Sequence, residues 1–466
     1  MNAHPSQFRP APEGPPPVLA RITPPARPLG PWRLFRTIVR NPLEAWPEAI
    51  YREPLYVSDF LGNTSLFVMA PNLIRQVMVD EADAFEKSEV LRRALSPALG
   101  DAILTADGAR WRWQRRAAAP IFRAERIRSF VPAMIAAAER TRDALAADAG
   151  RGEVDVAQTM MRTTFEIIVE TMLSGAGAID AARVERGITD YLESTSWVFG
   201  LTLLRAPTWM PYPGRAKAER AKMYLRDALF RLAAEGRRAG TEGRNDLMSL
   251  LLAARDPETG QAMDDRDVAD NLLTFVTAGH ETTALALTWA FYLLAHHPES
   301  EARVAAEVEA VTGGGPLEAD HVDTLSYTRQ VVLEAMRLYP PVPVVVRAAL
   351  RDVDLGGTPV KAGTPITVPI YAVHRHAALW DEPERFDPAR FAPEAAKARD
   401  RYAYLPFAAG PRICIGMGFA LSEAVAILAV LVRSLRFSLR PGYLPVLKQR
   451  ITLRPAEGMP MRVSLR

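Results

Sequence analysis

The stretch YLPFAAGPRICIGMGFALSEAVAILAVLV, residues 404–432, holds the only cysteine of the 466-residue chain, Cys414. It sits on a Pro/Gly-bearing turn directly before a long apolar helical run. A lone buried cysteine is ordinarily a small hydrophobe. The setting of this one differs: Gly410 and Gly416 stand where backbone must approach something closely, and Arg412 lies two residues before the sulfur. A helix N-terminus and free backbone N–H groups beside the sulfur favour its thiolate.

The composition excludes several classes. Hydrophobic residues are 48% and charged residues 24%, the balance of a soluble globular protein. A net charge of +3 from 57 basic and 54 acidic side chains gives no concentrated basic stripe, so no nucleic-acid partner is expected. One cysteine cannot form an intramolecular disulfide, which suits a reducing cytoplasm. Residues 1–31 hold ten prolines and no apolar run, and read as an extended arm, disordered or laid over the body, rather than a targeting peptide. The apolar stretches 284–295 and 424–432 fall short of the roughly 18–20 residues of a membrane span and read as core helices, so no integral membrane anchor is expected.

Residues 71–311 are mostly helical in pattern, as in Ile127, Phe130, Val131, Met134 and Ile135. Strand-like pieces are few: 66–69, 342–347, 353–355 and 364–369. The expected fold is therefore mainly α with a small, split β region, with residues 32–466 as one domain. Gly313-Gly314-Gly315 precedes a proline and not a Lys-Ser/Thr helix, so it is no phosphate loop. His374 and His376 lack the partners a zinc site requires.

Two further constellations lie upstream of Cys414. In Glu334-Ala-Met-Arg337 the charges stand three apart on one helix face. Such a pair is usually solvated, but the apolar residues around it and the Pro340-Pro341 stop favour burial. Residues 263–298 read as one very long helix, with Asp264 and Asp265 as N-cap candidates. Its middle, Ala278-Gly279-His280-Glu281-Thr282-Thr283, carries a glycine and threonines whose hydroxyls can turn back onto the chain, marking a place where the helix would open.

A thiolate in an apolar, amide-lined loop is the ligand by which haem iron is driven toward O–O cleavage. The pattern Phe-x-x-Gly-x-Arg-x-Cys-x-Gly is complete from Phe407 to Gly416 and resembles the haem-ligand signature of the cytochrome P-450 monooxygenases. The resemblance spans roughly residues 60–460 and implies that family's fold, with haem b between the long central helix and the Cys-bearing loop. It implies Cys414 as axial iron ligand, Thr282 beside the bound O2, and Glu281 in the proton supply. His280 occupies the variable position and should point to another face.

The same resemblance makes Arg390, in Phe386-Asp-Pro388-Ala-Arg390-Phe391, the cation that closes the Glu334–Arg337 pair, in preference to Arg385. It makes Trp111, Arg115, Arg347 and Arg412 contacts of the haem propionates. It lines the substrate pocket with Phe275, Ala278, Val342, Val344, Val345 and Ile451, together with loops 91–104 and 191–199. Arg92 and Arg93 read as a solvated loop, or as a pair that greets a carboxylate at the entrance. The implied activity is insertion of one atom of O2 into a lipophilic substrate. Electrons would come from a separate ferredoxin or flavoprotein, with NAD(P)H used only indirectly. A peroxygenase and a non-catalytic haem protein for gas sensing or electron transfer are the competing readings.

Overall fold

The computed structural model describes residues 18–60, 62–173, 180–240, 246–256 and 258–466. The helices that build the site are α1 (Pro31–Arg40), α2 (Glu89–Leu99), α3 (Gly108–Ala118), α4 (Ala124–Ala147), α5 (Val156–Met172), α6 (Thr195–Leu203), α7 (Arg215–Ala239), α8 (Asp265–His296), α9 (Ser326–Leu338) and α10 (Met417–Ser434). Five strands, β1 (Leu55–Phe60), β2 (Asn63–Val68), β3 (Phe85–Lys87), β4 (Val345–Ala349) and β5 (Pro365–Val368), form one sheet in the order β1-β2-β5-β4-β3. A hairpin of β6 (Leu447–Gln449) and β7 (Leu453–Pro455) stands apart from it.

The axis of the fold is α8. Asp264 caps it by accepting from the Asp267 N–H at 2.7 Å, and the helix ends before Pro298. From Thr283 to Leu294 every residue is buried, because α5, α7, α9 and α10 all pack on it. The expected opening at Gly279–Thr283 is absent; α8 is unbroken. Thr282 Oγ1 donates to the Ala278 carbonyl at 2.8 Å and Thr283 Oγ1 to Gly279 at 3.3 Å, so the hydroxyls add to the helical turn without displacing it. Gly279 answers to close packing: a Cβ there would lie 2.7 Å from Ile168 Cδ1 on α5. By length and composition α10 could cross a membrane, yet 67% of it is buried inside the protein, against α4 and α8.

The strand expected at 342–347 begins only at Val345, since Pro341 and Pro343 have no N–H to offer a ladder. In the β3–β4 pairing Lys87 stands directly opposite Arg347. The N-terminal arm lies over the body from residue 18 onward; residues 1–17 fall outside the described residues. Ala20 N–H donates to the Tyr292 hydroxyl at 3.0 Å, the Tyr339 hydroxyl donates to the Ala20 carbonyl at 2.8 Å, and Ile22 N–H donates to the Tyr371 hydroxyl at 3.2 Å.

Arg337 is fully buried and every donor of its guanidinium is engaged. Nε and Nη2 bind the two oxygens of Glu334 at 2.6 and 2.7 Å. Nη1 binds the carbonyls of His374 and Pro383, and Nη2 also that of Arg385. Glu334 in turn accepts from the Asp387 N–H at 2.9 Å. Replacing Arg337 by alanine leaves a buried carboxylate without its counterion and frees these carbonyls. The expected loss is about 3–5 kcal/mol, read from the midpoint of denaturant unfolding; a loss under about 1 kcal/mol would show that the pair does not hold this segment.

Candidate active site

The Cys414 loop is tied to itself: Cys414 N–H donates to the Phe407 carbonyl at 2.9 Å and Ile413 N–H to Gly410 at 3.0 Å. Gly410 has φ +71° and lies on the Met78 carbonyl, where a Cβ would come within 1.9 Å of the oxygen. The Gly416 N–H points at the Cys414 sulfur, and Arg115 donates to the Ile413 carbonyl at 2.9 Å. The sulfur opens onto a cavity of about 530 Å³, and the residue is accessible through that space although protein packs densely around it. Burial pushes the thiol up, against the Gly416 N–H and Arg115. The Gly416 N–H at the helix start and Arg115 thus favour the thiolate, as expected from the sequence, while burial works against it.

Across the cavity from the loop lies α8, which presents Phe275, Ala278 and Thr282 to the space. Phe275 stacks on Phe122 at 5.6 Å, and Val342, Val344, Val345 and Ile451 complete an apolar wall. His280 faces away, with Nδ1 on the Val276 carbonyl at 2.7 Å and its ring edge-on to Phe165. Glu281 is buried and held: its Oε1 accepts from Thr452 Oγ1 at 2.5 Å and forms an ion pair with Arg454. Neither partner is visible in the sequence near Glu281, because both come from the β6–β7 hairpin 171 and 173 residues away.

One wall is cationic. Lys87, Arg115 and Arg412 lie 6.0, 5.8 and 5.4 Å from the ring centre of Trp111, within reach of cation–π attraction. Arg347 sits opposite Lys87 across β3–β4, an arrangement of like charges that destabilises unless an anion intervenes. Arg412 is engaged by Asp107 at 3.1 Å and by the Ala82 and Phe85 carbonyls. Burial brings Lys87 down to about 7, with Asp107 opposing and Arg347 and Arg412 adding. Burial, then Arg412, brings Arg347 to about 10. Lys87 escaped the sequence reading, since only strand pairing places it here.

These residues fit an iron protoporphyrin: one thiol for the metal, a largely apolar space of about 530 Å³ beside α8, and cations in excess of Asp107 for two propionates. Other candidates are engaged elsewhere. Arg92 is paired bidentately with Glu86 at 2.9 and 3.0 Å, and Arg93 donates to the Ala206 carbonyl at 2.5 Å, so neither is free at an entrance. His374 uses both ring nitrogens, on Arg337 O and Leu405 N. Arg390 Nε lies 3.8 Å from Glu334, whereas Arg385 pairs with Glu382.

The chain matches the family model described as Cytochrome P450 over residues 49–459. It is 34% identical to cyclooctat-9-en-7-ol 5-monooxygenase of Streptomyces melanosporofaciens, over 89% of this chain and 92% of that protein. It is 34% identical to pentalenene oxygenase of Streptomyces avermitilis, over 82% and 84%. The crystal structure of the cytochrome P450DA heme domain superimposes with a TM-score of 0.83 at 26% identity, over 96% of this chain and 98% of that one.

One group beside the site titrates with a consequence. Glu423, on α10, is wholly buried next to Thr283, and burial raises its carboxyl to about 8, with only the Thr283 contact opposing. The folded protein then holds a proton that the unfolded chain releases near pH 4.3. Stability attributable to Glu423 is unaffected below about pH 4, falls as pH rises through the window up to about 8, and stays lost above it. Glu423→Gln should flatten this decline, which parallel denaturant titrations at pH 5 and pH 8.5 would read. Equal slopes in the two proteins would refute it.

Proposed function

The chain belongs to the cytochrome P450 family, and from that membership we propose the roles of its individual residues. The protein is a haem-thiolate monooxygenase that inserts one atom of O2 into a lipophilic organic substrate, with electrons from a redox partner. Haem b would supply the O2 activation, and Cys414 is the residue that would hold its iron. The observation that carries this assignment is the lone thiol opening onto the cavity beneath α8, beside buried cations without enough carboxylates of their own.

Arg115, Arg347 and Lys87 bind the propionates by charge-assisted hydrogen bonds, while Arg412, held by Asp107, sets the field around them. Phe407, Gly410 and Gly416 shape the loop so that the sulfur points inward. Glu334, Arg337 and Arg390 lock the segment that leads into it. Thr282 Oγ1, shared with the Ala278 carbonyl, holds a proton at the cavity surface. Glu281 belongs to the proton supply beside Thr282 and is kept in place by Thr452 and Arg454. The apolar walls exclude water from around the substrate.

The substrate is a lipophile of the size of a cyclic terpenoid, a reading supported by the aliphatic and aromatic wall and by the names of the two Streptomyces relatives. The electron donor is a ferredoxin or flavoprotein docking on the side of Cys414, where Arg112 is exposed on the outer face of α3. The enzyme works in the cytoplasm, a compartment that a chain with one cysteine suits, and the burial of α10 supports reading that helix as core and not as an anchor.

Cys414→His should retain part of the haem, because the cationic wall persists, while the reduced carbon monoxide complex loses its thiolate-type absorption. Persistence of that absorption would remove Cys414 as the ligand. Thr282→Ala should keep the haem and the fold, yet lower oxygenated product per reduced cofactor consumed by about tenfold or more, with peroxide rising in step. An unchanged ratio without added peroxide would confine Thr282 to helix architecture.

A further inference from the structure

Apart from the cations around Trp111, the cavity wall holds a further guanidinium with no ion pair among the described residues. Arg450, in the turn of the β6–β7 hairpin, is 9% exposed and lines the cavity. Its Nη1 donates to Ser196 Oγ on α6 at 3.1 Å and, at 3.4 Å, to the carbonyls of Arg40 and Gln449. All these acceptors are neutral. Nε and Nη2 make no hydrogen bond to the protein among the described residues. The carboxylate that acts on Arg450 from a distance, Glu193, is paired with Lys217 at 2.8 Å. The other guanidinium of the hairpin, Arg454, belongs to Glu281. The hairpin thus brings two guanidinium groups and meets one carboxylate, leaving one buried positive charge.

This charge is not part of the propionate wall. That wall is built around Trp111 by α3, β3 and β4, whereas Arg450 is fixed to the end of α1 and to α6. A buried guanidinium costs several kcal/mol unless an anion meets it, and its planar fork matches a carboxylate. Beside it the buried Gln449 also lines the cavity, its Oε1 lacking any partner, so the corner is polar within a wall that is otherwise apolar.

We propose that Arg450 receives a carboxylate on the substrate, whose hydrocarbon body lies along Phe199 and Ile451 toward Thr282. The substrate class is then a lipophilic monocarboxylate, such as a terpenoid acid, and not a neutral hydrocarbon or alcohol. The inference rests on the lipophile-oxidising reading of the cavity given above.

The test is spectral titration of the haem-loaded full chain, repeated by calorimetry, with matched probes: abietic acid against abietinol, and dodecanoic acid against dodecan-1-ol. The wild type should bind each acid at least tenfold tighter than its alcohol, and because the pair is buried that preference should change little as salt is raised. Arg450→Gln should bring the acid-to-alcohol ratio close to one, and Arg450→Lys should restore part of it. Equal binding of acids and alcohols by the wild type overturns the proposal, and needs no variant to fold. A ratio left intact in Arg450→Gln overturns it as well. Should neither acids nor alcohols bind, the lipophile reading fails and this inference with it, whereas alcohols binding as well as acids leaves that reading standing.

Discussion

The saturated guanidinium of Arg337 is the constraint on which the site depends. Five donors meet five acceptors, two on Glu334 and three on carbonyls at 374, 383 and 385. Those carbonyls belong to a segment with little regular structure, so its own ladders cannot fix its course. A buried charged pair fixes it in their place, and with it the path of the chain into Phe407 and Cys414. Because α9 packs against α8, the same pair carries the position of the central helix over to the loop. The distance between sulfur and Thr282 is therefore set by one rigid unit of helix, ion pair and carbonyls.

The second organising feature is an excess of buried positive charge. Lys87 opposite Arg347, with Arg115 and Arg412 around the same indole, repel one another in a wall where Asp107 is the one carboxylate paired directly with them among the described residues. Such a wall is stable once a dianionic partner fills it, which couples cofactor uptake to the packing of β3 and β4 against α3. Glu281 with Arg454 shows the opposite solution, in which the protein supplies both signs itself. The contrast separates a cation paired within the fold from cations that the fold leaves without a carboxylate of their own.

Much of this was legible in the sequence because it is local. The spacing of Phe407, Gly410, Arg412, Cys414 and Gly416 lies in ten residues, and Glu334 with Arg337 in one helical turn. The choice of Arg390 over Arg385 also follows local geometry: Arg390 approaches Glu334, while Arg385 offers it only a neighbouring carbonyl bond to Arg337. The partners supplied by long-range contacts were not legible. Lys87 enters through strand register, and Arg454 and Arg450 through a hairpin that returns to α8 and α6 from the far end of the chain. The predicted opening of α8 failed for a related reason. It weighed the intrinsic cost of glycine and threonine in a helix, while Ile168 against Gly279 and the hydroxyl bonds to preceding carbonyls outweigh that cost.

The N-terminal arm has a consequence for how the molecule is made. Its backbone is gripped by hydroxyls of Tyr292, Tyr339 and Tyr371, 272, 319 and 349 residues along the chain from their partners at Ala20 and Ile22. Ala20 and Ile22 therefore lack the full set of these partners until Tyr371 exists, past three-quarters of the 466 residues. Seated, the arm joins α8 to the end of α9 and to the turn after β5, three elements that meet only in the finished fold. It acts as a closing stitch, and contacts of such long sequence separation are formed late and slowly.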